Sequence, residues 1–229
     1  MREIIYITGT DTDVGKTMAT AALAATLAAR GASVAVYKPT QTGVPPGGHG
    51  DMDEVARLAG VAVVREGVRL RHPMAPVAAA LREHRRLPSL AEHVDHISEL
   101  AAVHSHVLIE GAGGLLVELD GQGHTVADLA GATREVARTA VVVVCRSGLG
   151  TLNHTELTVE ALQSRGLPVP ALVIGSWPSA PSEIELSNRD HLHALDAAFL
   201  GSLPEGASKL DPHDFRRLAP HWLALPGWA

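Results

Sequence analysis

The sequence reads as an α/β protein: a mostly parallel central sheet with helices on both faces, in one domain over residues 1–229. Three observations predict this. Short β-branched apolar runs alternate with longer Ala/Leu-rich or amphipathic segments along the whole chain, the pattern of strand–helix units that build a parallel sheet. Several runs are apolar at every position, Val141-Val142-Val143-Val144 above all, as a strand covered on both faces should be. Glycines and capping boxes fall where the helices must stop and start.

Glu3–Thr8 is the first predicted strand, and Lys16–Arg30 the first helix, stopped by Gly31 at a C-cap position. Ser33–Lys38 is the second strand. A short helix, Asp53–Ala59, and a strand, Val68–Arg71, follow. Ser89-x-x-Glu92 is a capping box that opens the helix Leu90–His104, and His106–Glu110 is the next strand. Then come helix Val126–Gly131, strand Ala140–Cys145, helix His154–Arg165 ended by Gly166, and strand Ala171–Gly175. A second capping box, Ser182-x-x-Glu185, opens Glu183–Ala197. A short strand near Leu200 and a helix over Pro212–His221 complete the series. Right-handed crossovers bring the C-terminal ends of parallel strands to one edge, where ligands bind.

Composition narrows the function. Hydrophobic residues make up 46% and charged residues 19%, which suits a soluble globular protein. Aromatics are only 3%, so Ala, Val and Leu must build the core. A net charge of −6 offers no global basic field, so no nucleic-acid partner is expected. The single cysteine, Cys145, sits in an apolar strand and reads as a small buried hydrophobe. Residue 3 already belongs to a strand, with no signal segment before it, and no apolar run spans a bilayer; a cytoplasmic protein without a membrane partner is expected. Thirteen histidines invite a metal reading. His84, His93, His96, His104 and His106 surround one predicted helix and His191 and His193 lie on another. None stands with Cys or carboxylates at ligand spacing, so they read as structural.

The chemistry begins at Gly9-Thr10-Asp11-Thr12-Asp13-Val14-Gly15-Lys16-Thr17, between an apolar strand and an Ala-rich helix. Free N–H groups and the dipole at a helix start favour an anion. Lys16 can reach the outer phosphates of a nucleoside triphosphate and the Thr17 hydroxyl can ligate Mg²⁺. Five residues separate Gly9 from Gly15 where four are usual. Lys38 closes the second strand at the ligand edge, where it meets either the same phosphates or solvent. Glu110 closes another strand before Gly111-Ala112-Gly113-Gly114, the place of a metal-binding carboxylate in such folds. Asp51 opens a helix-like segment; it serves as an N-cap or as a metal ligand, with Asp53 a competitor for the second role. Between Lys38 and Asp51, the stretch Gly43–Gly50 is either an ordinary surface connection or a mobile loop of the site. Gly148–Thr155 begins a helix after a buried strand: a simple cap, or a second anion site.

Together these segments resemble dethiobiotin synthase, a P-loop NTPase-like family. The matching features are Gly9–Thr17, Tyr37-Lys38-Pro39 with Thr42-Gly43, Glu110–Gly114, and Leu149-Gly150-Thr151-Leu152-Asn153-His154. The resemblance implies an ATP-driven ring closure of 7,8-diaminononanoate with CO2, through a carbamate and its mixed anhydride with phosphate, giving dethiobiotin, ADP and phosphate. It implies Mg²⁺ as cofactor and ATP, or another nucleoside triphosphate, as co-substrate. Lys38 and Lys16 would be catalytic. Asp13, Val14, Gly15, Lys16, Thr17 and Met18 would wrap the triphosphate, with Asp51 and Glu110–Gly113 nearby, and Thr17, Asp51 and Glu110 would hold the metal. Thr42 would contact the diamine, and Gly150–Asn153 of a partner subunit would hold its carboxylate, so a homodimer is implied. The sequence departs from the family at Gly175-Ser176-Trp177-Pro178, where many members carry an Asn-Asp pair. Base contacts then fall to backbone around Gly175 and Ser176 and near Pro204, Glu205 and Gly206. Partition- or septum-type ATPases carry a second lysine early in the phosphate loop; Asp11 stands there instead.

Overall fold

The computed structural model describes residues 2–168 and 171–225. Its elements run in order β1 (Glu3–Gly9), α1 (Lys16–Ala29), β2 (Val34–Gln41), α2 (Asp51–Ala59), β3 (Val63–Arg69), α3 (Pro76–Glu83), α4 (Leu90–Val103) and β4 (His106–Gly114). They continue with α5 (Val126–Ala132), β5 (Arg138–Cys145), α6 (Thr151–Gln163), β6 (Ala171–Trp177), α7 (Glu183–Ala194), β7 (Ala198–Pro204) and α8 (Pro212–Trp222). The strands form one seven-stranded sheet in the order β3-β2-β4-β1-β5-β6-β7. Every pairing in it is parallel. The expected α/β class is therefore the observed one.

Alternation along the strands divides the core between the two faces. Ile5, Ile7, Val142, Val144 and Val173 point to the side covered by α1, α2 and α8. Ile4, Tyr6, Val141, Val143 and Leu172 point to the side covered by α4, α5, α6 and α7. The centre of α1 is alanine and leucine on all sides, and Ala19, Ala21, Ala22, Leu23, Ala24 and Leu27 are all buried. Small side chains let this helix lie close to the sheet, as its hydrophobic character all round requires. Cys145 is fully buried and its Sγ–H points to the Val173 carbonyl at 3.4 Å; burial pushes the thiol up to about 11. It is the structural cysteine that its apolar strand predicts.

Both capping boxes form. Ser89 and Ser182 each accept from the backbone N–H three residues on, and Glu92 and Glu185 answer the cap N–H. Several elements differ from expectation. β2 and β4 run on past Lys38 and Glu110 to Gln41 and Gly114, because the segments that follow keep pairing with their neighbours, so neither residue closes its strand. β3 lies at Val63–Arg69 instead of Val68–Arg71. It is one of the two edge strands, and edge strands carry charge, here Arg65, Glu66 and Arg69, which breaks up the apolar run. Helix α3 was not anticipated at all. α2 starts at Asp51 and α6 at Thr151, each just after a glycine cap. Among the described residues no helix is long and apolar enough to cross a membrane.

Candidate active site at the C-terminal edge of the sheet

β1 and β4 are central neighbours, and β2 lies beside β4. The C-terminal ends of these three strands therefore deliver the phosphate loop, Glu110 and Lys38 to one place. The loop turns into α1 through Asp13 (φ 57°) and Gly15 (φ 97°). Gly15 is required twice. Its φ lies in the left-handed region, and a Cβ there would come within 2.7 Å of the Gly175 carbonyl oxygen. Gly175 is equally constrained, because a Cβ on it would collide with the Val14 carbonyl. So β6 packs backbone against backbone on the loop.

The charged centre is compact. Lys38 is 3% exposed, and its Nζ donates to Glu110 Oε1 at 2.7 Å and to Asp51 Oδ2 at 2.9 Å. The Thr17 hydroxyl donates to the same Glu110 oxygen at 3.0 Å. Burial works against the charge of Lys38, but Glu110 and Asp51 outweigh it, so its pKa stands above the ordinary lysine value. Lys16 moves the other way. Its ammonium donates to the Asp11 carbonyl at 2.9 Å, and burial, then the charge of Lys38, lower its pKa.

A cavity of about 770 Å³ opens over this cluster. Of the residues expected to act, Asp13, Gly15, Lys16, Thr17, Met18, Lys38, Thr42, Asp51, Glu110, Ala112 and Gly113 line it. Val14 and Gly111 do not; Val14 is buried, and a Cβ on Gly111 would meet Val126 at 3.0 Å. Gly175, Ser176, Pro204, Glu205 and Gly206 stand outside the cavity, at the ends of β6 and β7, where the Glu205 N–H bonds the Trp177 carbonyl at 2.8 Å. Gly150, Thr151, Leu152 and Asn153 also lie outside it, at the start of α6. Their entry loop is tied to the phosphate loop by Arg146, which donates to Asp11 Oδ2 at 2.8 Å. Asp53 does not line the cavity either. Its Oδ2 accepts from the Gly50 N–H at 2.8 Å and from Arg69 at 3.1 Å, which gives it a structural task. The Gly43–Gly50 stretch is anchored: Gly43 and Val44 N–H groups bond the His72 and Leu70 carbonyls, and Arg69 holds the Gly48 carbonyl at 2.7 Å.

The residues present fit a magnesium ion. Glu110 Oε2 is buried and has no hydrogen-bond partner among the described residues. Thr17, Asp51 and Glu110 offer only hard oxygens, and Mg²⁺ takes few protein ligands, leaving the rest to water and phosphate. Among the described residues no three His, Cys, Asp or Glu side chains cluster as a metal site of their own.

A model of the AAA domain family matches residues 3–212. The ATP-dependent dethiobiotin synthetase BioD of Streptomyces coelicolor is 50% identical over 224 residues, covering 97% of this chain and 92% of that one. The protein of the same name from Rhodococcus jostii is 49% identical, covering 96% and 94%. The chain belongs to the ATP-dependent dethiobiotin synthetase family. Solved structures extend the likeness in fold alone. Chloroplast FtsY from Physcomitrella patens superposes with a TM-score of 0.55 at 15% identity, over 96% of this chain and 65% of that one. MinD in the MinC:MinD complex of Aquifex aeolicus gives 0.54 at 14%, over 95% and 86%.

The sequence left one wall of the cavity unread. Pro73, Met74, Ala75 and Pro76 form it, at the start of α3. Pro76 is the first helical residue, and proline at that position is a recognised helix start. Gln41 and Thr40 also line the cavity, next to residues that were singled out.

Proposed function

We propose that this chain closes the ureido ring of dethiobiotin from 7,8-diaminononanoate and CO2, driven by ATP, as a Mg²⁺-dependent ligase of biotin biosynthesis. The whole chain, residues 1–229, works as one domain, in the cytoplasm and as a homodimer. The observation that carries the reading is the position of Lys38, buried between Glu110 and Asp51 in the cavity that the phosphate loop faces. A solvated strand-end lysine needs no such partners.

One amine of the substrate adds to CO2 and loses a proton, which leaves a carbamate. A carbamate oxygen then attacks the γ-phosphorus and ADP leaves. The second amine attacks the carbonyl carbon of the mixed anhydride, expels phosphate and closes the ring. Two anions must approach each other in the phosphoryl transfer. Lys16 and Lys38 offset that repulsion and stabilise the equatorial charge of the transferring group. Thr17, Asp51 and Glu110 are the residues that would hold Mg²⁺, whose contribution is Lewis-acid neutralisation of the phosphate oxygens. The side chains do no covalent chemistry in this scheme. Holding two ligands in reacting geometry supplies up to about 7–11 kcal/mol in favourable cases.

Asp13, Val14, Gly15 and Met18 enclose the triphosphate with Gly111, Ala112 and Gly113. Thr42 faces the diamine. The backbone at Gly175 and Ser176 and at Pro204, Glu205 and Gly206 receives the base. Gly150, Thr151, Leu152 and Asn153 bind the substrate carboxylate in the partner's site. Their place outside their own chain's cavity supports that reading, as does Leu149, which stands 77% exposed beside them. The test is direct. The protein is incubated with 7,8-diaminononanoate, bicarbonate, Mg²⁺ and each nucleoside triphosphate in turn, and products are read by mass spectrometry. Dethiobiotin formed only with a triphosphate supports the reading; nucleotide hydrolysis that ignores the diamine refutes it.

A further inference from the structure

We propose that Gln41 is a positioning residue that caps α2 from outside the helix and thereby sets both Asp51 and Thr42 at the site. The inference rests on the function proposed above for the roles of those two residues, but the cap itself is independent of it.

The first turn of any helix leaves N–H groups without intrahelical partners, and an N-cap side chain usually takes one of them. In α2 the N-cap is Gly50, which has no side chain. Two other residues do the work. Asp53 accepts from the Gly50 N–H at 2.8 Å. Gln41 Oε1 accepts from the Asp51 N–H at 2.9 Å. The other end of the same amide donates from Nε2 to the Thr42 carbonyl at 3.0 Å. One planar group thus joins the residue that pairs with Lys38 to the residue that faces the diamine.

The amide is well held. Gln41 is 4% exposed, and its carbonyl accepts from the Leu70 N–H at 2.8 Å, so the end of β2 fixes its backbone. Gly50 makes room for it. A Cβ at Gly50 would sit 3.2 Å from Gln41 Oε1 and 3.1 Å from Arg69 Nη2, closer than ordinary packing allows. The chemistry demands an amide of this length. A glutamate keeps the acceptor and loses the donor. Asp51 needs such a support because its carboxylate is 38% exposed, so its aim at Lys38 comes from its backbone rather than from enclosure.

Three variants test this: Gln41→Ala, Gln41→Glu and Gly50→Ala. The first readout is hydrogen exchange of the Asp51 amide in protein free of nucleotide and metal, followed by NMR. Gln41→Ala should speed that exchange about tenfold, leaving amides of the central strands unchanged. Gly50→Ala, which displaces the amide without altering it, should speed it less. Gln41→Glu should preserve protection. The second readout is kinetic. Gln41→Ala should raise half-saturating Mg²⁺ and the diamine KM by about 3- to 10-fold each. Gln41→Glu should restore the Mg²⁺ response but not the diamine KM, because the Thr42 carbonyl still lacks its donor. Unchanged Asp51 exchange in Gln41→Ala overturns the proposal, and a raised KM alongside it would make Gln41 a direct substrate contact. Faster exchange in a protein that forms no dethiobiotin supports the cap and overturns the proposed function instead.

Discussion

Replacing Lys38 with methionine keeps a long apolar stem and removes the charge. Two carboxylates then lose their shared partner, and they are not equivalent. Asp51 is 38% exposed and turns to water at little cost. Glu110 is fully buried; among the described residues its Oε1 then keeps the Thr17 hydroxyl alone, and its Oε2 has no partner to begin with. Removing one side of a buried pair costs about 3–5 kcal/mol, because a charge is left uncompensated. That is a large part of the roughly 5–15 kcal/mol that holds a domain together. Lys38→Met/Glu110→Gln removes the stranded charge, so it should recover most of the loss. Turnover should not recover with it. A cation lost from the transferring phosphoryl group lowers kcat by about 10²–10³-fold in comparable sites. Urea unfolding without nucleotide measures the first effect, and dethiobiotin formation the second. A single variant within about 0.5 kcal/mol of the parent chain, as for an ordinary surface change, would refute the reasoning. So would a double variant no more stable than the single one.

Glu110→Gln alone should raise the Mg²⁺ needed for half-maximal turnover by about tenfold or more; an unchanged Mg²⁺ titration would move the metal role to other residues. Asn153→Ala should raise the diamine KM and leave the nucleotide KM nearly unchanged, and equal losses in both would sink the role given to the α6 start. His93 gives a pH prediction. Its Nδ1 shares a hydrogen bond of 2.7 Å with the Tyr37 hydroxyl, and burial lowers its pKa from 6.5 to about 4. The folded protein then holds His93 neutral where the unfolded chain protonates it. That stability is complete above about pH 6.5 and drains away as pH falls toward 4, by an order of 3 kcal/mol. His93→Gln should flatten the acid limb of a stability–pH curve; an identical limb in both proteins would exclude His93 as its source.

The site was legible where the sequence departs from ordinary composition. A lysine, a glutamate and a glycine-rich turn at the ends of apolar strands stand out, and parallel topology does the rest by bringing those ends to one edge. Lys16, Thr17, Lys38, Asp51 and Glu110 meet in one cavity because β1, β2 and β4 are neighbours there. What the sequence obscured lies at the sheet's margin. β3 carries charge on an exposed edge, so its apolar signal is diluted. Helix α3 puts just Ala79 and Ala80 into a small separate cluster with Val68, Leu70 and Leu87 among the described residues, so it has no long apolar stripe to announce it. Asp51 and Asp53 could not be told apart by spacing. Their backbone environment separates them: Asp53 answers the Gly50 N–H and Arg69, and Asp51 is left to face Lys38.

Two lysines share this cavity, and their opposite shifts suggest a division of labour. Lys38 already has its anions, Glu110 and Asp51, and stays charged because they outweigh its burial. Among the described residues Lys16 donates to the Asp11 carbonyl, and burial, then the charge of Lys38, lower its pKa more than Glu110, Asp13 and Asp51 raise it. An arriving triphosphate therefore relieves Lys16 most, since it brings negative charge to an ammonium whose acidic neighbours do not offset its burial. Lys38 gains less from the nucleotide itself. Its carboxylates hold it until they have another cation to face, and only then is its ammonium free to meet the transferring phosphoryl group. On that argument Lys16→Ala should chiefly weaken nucleotide binding, and Lys38→Met should chiefly lower kcat. The contrast follows from which of the two lysines is ion-paired to carboxylates of its own chain.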